Sequence, residues 1–322
     1  MKIKAFLKLV EIQTKVASVI PFFTTLLYVL YSTKQLNVRN MVVMFFSMVI
    51  FDMTVTALNN YYDYKSAEKK HGYNYEIHNS IVQYNLKSGT VKAVIAVMFV
   101  ISAALGIYLV YLTNLVTLIL GAICFAIGVA YSYGPMPISR TPFGELFSGF
   151  TMGLGIPFIT YFINVFDKGV LNVSLVNGTF ALSFDVYQII GIVLVSLPSV
   201  FAIANIMLAN NICDIEDDIA NKRHTLPIVI GKEKAIALLK ILFALAYVSI
   251  VAAVVIRVLP LYSLLTLFTI IPLRKNVKAF VANPTKKDTF GKIVGSFVMI
   301  VATLALTIGL GVLDASFLHL LA

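Results

Sequence analysis

Long apolar runs separated by short polar punctuation dominate the chain, and a run of roughly 20 such residues is what a helix needs to cross the hydrocarbon core of a bilayer. Nine runs predict nine transmembrane helices, over about 15–33, 38–59, 92–112, 115–133, 145–166, 186–208, 235–256, 259–273 and 293–313. The eighth is the shortest. Residues 1–14 interleave Lys2, Lys4 and Lys8 with Phe6, Leu7, Val10 and Ile12, which suits an interfacial segment. No small-residue cleavage site follows it, so it is expected to be retained and not removed as a signal peptide. The expected organisation is an interfacial segment over 1–14, a single transmembrane domain over 15–313 and a short external tail over 314–322. The fold class is all-α and polytopic.

Composition agrees and adds a direction. The chain is 59% hydrophobic and 12% charged with a mean hydropathy of +0.91, against about 25% charged residues in soluble domains. With the N-terminus placed inside, 20 of the 25 Lys and Arg fall on cytoplasmic segments and 4 on external ones, the asymmetry of the positive-inside rule. The formal charge of +10 therefore reports topology in a cell membrane, N-terminus cytoplasmic and C-terminus external, and no nucleic-acid partner is expected. Cys124 and Cys213 are too few and too scattered for a disulfide framework or a thiolate zinc site.

The acids are distributed differently. Asp63, Glu68, Glu76, Asp214, Glu216, Asp217, Asp218 and Glu233 make 8 of 15, all in the cytoplasmic loops after the second and sixth runs. Asn59-Asn60 precedes Asp63, and Asn210-Asn211 precedes Asp214, with an Asp four residues after the first Asn in each case. The 151-residue offset suggests two pseudo-repeated four-helix halves plus a ninth helix. Positions i and i+4 share a helix face, so Asn59 and Asp63 are expected on one face, and Asn210, Asp214 and Asp218 on another. One such cluster alone is more simply a solvated, capped helix end. Two in matching places read as oxygen ligands for Mg2+, which takes one or two protein carboxylates and completes its shell with water and phosphate. The pair then forms a clamp for a diphosphate. Between them, the Pro- and Gly-rich stretch 131–145 forms a stiff cytoplasmic loop that presents Arg140, unless that arginine serves topology alone. The tyrosines Tyr61, Tyr62, Tyr64, Tyr73 and Tyr75 suit either an interfacial aromatic belt or a wall facing the substrate.

Together these residues resemble the UbiA superfamily of intramembrane prenyltransferases, and among them the branch that prenylates 1,4-dihydroxy-2-naphthoate for menaquinone. The N-x-x-x-D motif matches Asn59 and Asp63. The second motif matches Asn210, Asn211, Asp214, Asp218, Thr225 and Leu226, and residues 137–145 resemble the loop of the naphthoate branch. Cys213 stands where the motif has Arg, Lys222 where it has Gly and Arg223 where it has Lys. Glu68 substitutes for a later acid of the first motif.

The resemblance implies transfer of a polyprenyl chain from polyprenyl diphosphate to an aromatic acid, giving demethylmenaquinone with release of diphosphate and CO2 when the acceptor is the naphthoate. Mg2+ would be held by Asp63, Glu68, Asp214 and Asp218 with Asn59 and Asn210. Lys65, Arg140 and Arg223 would meet the diphosphate, Asp63, Asp214, Asp218 and Arg140 would carry the catalysis, and Tyr61, Tyr62 and Tyr133 would line the wall. The lateral opening would face membrane lipid. Other aromatic or quinone acceptors remain open. A secondary transporter is the alternative class, but only Asp52 lies well inside a span; a CDP-alcohol phosphotransferase would need a D-G-x-x-A-R pattern that the sequence lacks.

Overall fold

A computed structural model of the protein describes residues 1–66, 79–176 and 178–320. Among these residues, eight helices are long and apolar enough to cross a membrane: α1 (Ile12–Thr33), α2 (Val38–Lys65), α3 (Ser88–Leu112), α4 (Leu115–Ser132), α5 (Gly144–Val165), α6 (Val186–Cys213), α7 (Lys232–Val255) and α9 (Phe290–Asp314). The chain is an integral membrane protein. α2 and α6 outlast their expected ends at residues 59 and 208, so both Asn-Asn pairs ride on the helices themselves.

The expected eighth span is built differently. A 3-10 helix, Leu261–Thr269, runs into the α-helix α8, Ile270–Ala282. As a plain α-helix the apolar run 259–273 would reach only about 22 Å, short of the roughly 30 Å hydrocarbon core. The 3-10 winding rises about 2.0 Å per residue and stretches it. This segment carries the chain back across, because α7 leads away from the face that holds Asp214, and Lys286, just after α8, contacts Asp214 again.

One feature among the described residues departs from an all-α fold. Between α5 and α6, strands β1 (Leu171–Val176) and β2 (Thr179–Phe184) pair antiparallel. Asn177-Gly178 in the sequence is a strong hairpin signal, and Gly178 takes a φ of +76° that favours glycine.

Packing is uneven, and this positions the cavity. The largest buried cluster joins α1, α5, α6, α7, α8 and α9 through side chains such as Tyr28, Tyr161, Ile192, Phe243, Phe280, Phe297 and Ile300. α6 is the central helix, with 61% of its apolar window buried, whereas α3 and α4 bury 17% and face outward. The first half therefore leaves space between α2, α3, α4 and α5.

α5 and α6 cross closely. Gly149 and Gly153 have the spacing that lets two helix backbones approach, and a Cβ added at Gly153 would lie 2.5 Å from the Val200 backbone. The turn Thr151–Gly155 widens to a π-helix at this crossing. Gly153→Ala is expected to destabilise the protein by about 1–3 kcal/mol through overpacking, read as a lower melting temperature in detergent. Gly295→Ala, where nothing lies within 4 Å of the added Cβ, should leave it unchanged.

Candidate functional site

The two acidic motifs meet at one end of the bundle. α6 ends at Cys213, and Asp214, at φ −103° and ψ 9°, turns the chain into a new short helix, Ile215–Ala220. Asn210, Asp214 and Asp218 therefore do not share one continuous helix face as expected. The turn brings all three to the same cavity, which Asn59 and Asp63 also line.

The halves repeat in detail. Asn59 Nδ2 donates to Asp63 Oδ2 at 3.4 Å, and Asn210 Nδ2 donates to Asp214 Oδ2 at 3.5 Å. The second Asn of each pair reaches a glutamate at the start of the preceding odd-numbered span: Asn60 Nδ2 donates to Glu11 Oε1 at 3.2 Å and Asn211 Nδ2 to Glu145 Oε1 at 2.9 Å. One asparagine thus sets the aspartate of its own helix and the next ties that helix to its neighbour. Asn60 also donates to the Leu9 carbonyl, and Leu9 and Ala5 of the short helix Ile3–Leu9 are buried while Ile3 is exposed.

Cations interleave with the carboxylates. Arg223 Nη2 pairs with Asp63 Oδ1, and its Nε lies 3.7 Å from Asp218 Oδ1, so one guanidinium bridges the two motifs. Arg140 Nη2 lies 3.6 Å from the same Asp63 oxygen. Lys286 Nζ sits 2.5 Å from Asp214 Oδ2. Arg140 is held by the short 3-10 turn Ile138–Arg140, and its carbonyl accepts the His224 backbone N–H at 2.9 Å, locking this loop to the one that carries Arg223. Asp218 is 4% exposed and accepts from Thr225 Oγ1 at 3.1 Å. Burial, the largest cause, and then the neighbouring Asp214 push its pKa up to about 6, against the pull of Arg223.

Below this ionic mouth the cavity continues into the membrane-spanning region, with a volume of about 1000 Å3. On α2 its lining runs from Asp63 down to Met44, about 29 Å at 1.5 Å per residue. The deep wall is largely apolar, with Phe51 stacked on Phe125 at 3.8 Å between centroids and with Ile159 and Met207. Asp52, the acid well inside a span, also lines it, but Lys15 Nζ at 2.6 Å and Ser18 Oγ at 2.6 Å satisfy its carboxylate.

Other expected site residues fall elsewhere. Tyr61 and Tyr62 stand about 200° and 100° round α2 from Asp63 and are not among the cavity-lining residues. They cluster with Tyr133 beside the mouth, Tyr62 and Tyr133 at 5.0 Å between centroids, and Tyr61 accepts from Ser88. Tyr131, the penultimate residue of α4, takes the place on the wall and donates to Met207 Sδ at 3.3 Å. Lys65 is exposed at the end of α2, outside the cavity lining. Glu68 lies outside the described residues. Lys286 was not singled out in the sequence because a lysine between α8 and α9 is indistinguishable from a topology charge. Glu11 and Glu145 lie 134 residues apart and not the 151 of the Asn pairs, so the repeat in the sequence does not find them.

As a site for a hard divalent cation the donor set fits in kind. Its ligands are oxygens, and each motif offers the one or two carboxylates that Mg2+ takes from protein. Among the described residues, however, no three His, Cys, Asp or Glu side chains group closely enough to hold an ion between them; phosphate or water oxygens must supply the rest.

The raised pKa of Asp218 sets the sign of one pH effect. The folded protein binds this proton up to about pH 6, whereas the unfolded chain releases it near the ordinary 3.8. The associated stability is fully present below about pH 4 and is lost as pH rises through 6. In metal-free buffer the melting temperature should therefore fall between pH 5 and pH 7, and Asp218→Asn should flatten that dependence.

A model of the UbiA prenyltransferase family matches residues 18–290. Over 216 residues the chain is 33% identical to the 1,4-dihydroxy-2-naphthoate octaprenyltransferase of Bacillus subtilis (strain 168); the match covers 66% of this chain and 61% of that relative's length. A UbiA homolog from Archaeoglobus fulgidus bound to GPP and Mg2+ aligns with a TM-score of 0.66 at 13% identity, over 96% of this chain and 99% of that one. The apo structure of a UbiA homolog from Aeropyrum pernix K1 aligns with a TM-score of 0.65 at 18% identity, over 93% and 98%. These likenesses carry the fold. Together with the match over most of the chain, they identify the protein as a member of the UbiA prenyltransferase family.

Proposed function

We propose that the protein is a Mg2+-dependent prenyltransferase that moves a polyprenyl chain from polyprenyl diphosphate to 1,4-dihydroxy-2-naphthoate, giving diphosphate, CO2 and demethylmenaquinol, the reduced form of demethylmenaquinone. The observation that carries this reading is one cavity about 29 Å deep along α2, ionic at its mouth and largely apolar in its deep wall. A diphosphate with a long isoprenoid tail has the same division. The Bacillus subtilis relative is named for this acceptor, and the Archaeoglobus fulgidus homolog binds GPP and Mg2+. Family membership favours this enzyme over a transporter, and the neutralised Asp52 agrees.

The mechanism follows from the residues. Asp63 with Asn59, and Asp214 and Asp218 with Asn210, would hold Mg2+. Bound there, the metal would neutralise the diphosphate and stabilise it as a leaving group. Arg140 and Arg223 lie against the same carboxylates and can turn to the phosphate oxygens, so charge developing on the departing group meets guanidinium groups already in place. The allylic C–O bond breaks and its electron pair leaves with the diphosphate. The electron-rich ring of the acceptor then forms the new C–C bond, and loss of CO2 returns a bonding pair to the ring. Phe51, Phe125, Tyr131 and Met207 exclude water from the allylic cation in the meantime. Positive-inside asymmetry favours a mouth at the cytoplasmic face of a cell membrane, with the N-terminus cytoplasmic and the C-terminus external; the apolar cavity beneath would be entered from lipid.

The test is turnover by protein in membranes with Mg2+, a labelled prenyl diphosphate and a panel of aromatic acids including 4-hydroxybenzoate, with the product identified by mass. The naphthoate should give a product lighter by CO2 than the simple adduct. Asp63→Ala and Asp214→Ala should each lower turnover about a hundredfold or more, the scale of losing one electrostatic element of an active site. Full turnover by either variant at saturating Mg2+ would contradict the clamp, and transfer only to another acid would reassign the acceptor.

A further inference from the structure

We infer that Lys286, between α8 and α9, is a diphosphate-binding residue that rests on Asp214 while the substrate is absent. This rests on the reading of the mouth as a Mg2+–diphosphate site. Three aspartates there have cationic partners: the arginines serve Asp63 and Asp218, and Lys286 serves Asp214.

The loop around Lys286 is built to place it. Thr289, 6% exposed, donates from Oγ1 to the Asn283 carbonyl at 2.7 Å and accepts the Thr285 N–H at 3.0 Å. Thr285 Oγ1 accepts the Asp288 N–H at 3.2 Å, and the Thr285 carbonyl accepts the Phe290 N–H at 2.9 Å. These bonds fix the backbone beside Lys286 and leave its four-carbon stem free to swing. Phe290 and Val294, the next turns of α9, line the cavity with it. Lys287, the neighbouring residue and exposed as Lys286 is, is not among the lining residues.

A carboxylate oxygen that accepts an ammonium at 2.5 Å cannot also bind Mg2+ at about 2.0–2.1 Å without bringing two cations against each other. Metal on either Asp214 oxygen puts a dication beside that ammonium and weakens its hold on the carboxylate. The phosphate oxygens that arrive with the metal can take the freed ammonium, and a lysine's rotatable donors suit them. The lysine, exposed at the rim, thus exchanges a carboxylate partner for phosphate oxygens.

Two opposite effects of one substitution test this. The full chain in detergent or nanodiscs is titrated calorimetrically with Mg2+ alone and then with inorganic pyrophosphate in the presence of Mg2+. Lys286→Gln should tighten Mg2+ binding, because a competitor for Asp214 is gone. It should weaken pyrophosphate binding about tenfold, the scale of one charge-assisted hydrogen bond. Lys286→Arg should restore pyrophosphate affinity, and Lys287→Gln should change neither constant. If Lys286→Gln binds pyrophosphate as the parent does, the inference is wrong while the proposed function stands. If the parent chain itself binds no pyrophosphate with Mg2+, both fall.

Discussion

The bridge that Arg223 makes between Asp63 and Asp218 is the interaction on which the rest of the site depends. Asp63 closes the second helix of one half and Asp218 follows the second helix of the other, so one guanidinium holds the two halves in register. Carboxylates brought this close in a partly desolvated mouth repel one another and need a cation between them. Arg140 on Asp63 and Lys286 on Asp214 complete the compensation. The same cations are the groups that a diphosphate would draw upon, which makes the resting network and a substrate-bound one alternative pairings of one set of charges.

That network is placed by an internal repeat whose polar contacts are more regular than its sequence. Asn59 and Asn210 each hold an aspartate four residues on, while Asn60 and Asn211 each bond a glutamate of the neighbouring span. The glycine crossing of α5 on α6 brings Glu145 within reach of Asn211. In the first half the N-terminal segment does this work through Glu11 and the Leu9 carbonyl. The second half is then packed solid around α6, and the first stays open as the cavity. Such an arrangement separates a rigid frame from the volume in which a flexible chain can lie.

Much of the fold was legible in the amino-acid pattern because a bilayer imposes a simple rule: a span must be long and apolar, and its backbone must satisfy itself. The run 259–273 was the weak point, since its length sat below that rule and 3-10 winding made up the difference. The hairpin at Leu171–Phe184 carried a local signal in Asn177-Gly178, hidden among longer apolar runs. At the site, the acids were findable because charge is scarce, at 12% of the chain, and because two clusters repeat. The wall was not. Tyr61, Tyr62 and Tyr133 are conspicuous in sequence, yet rotation about α2 turns the first two aside and leaves Tyr131 and the Phe51–Phe125 stack on the cavity.

The sequence by itself determined that this chain spans a membrane, where its spans begin to within a few residues, and that Asp63 and Asp214 belong to one face, because hydropathy and charge are properties of residues counted along a line. Only the tertiary structure decided which cation meets which carboxylate. Lys286 lies 72 positions from Asp214, and Arg223 lies 160 from Asp63. Pairings over such distances depend on how helices cross and which way each is rotated. Those are set by close packing at places such as Gly153 and Val200, which no local pattern encodes.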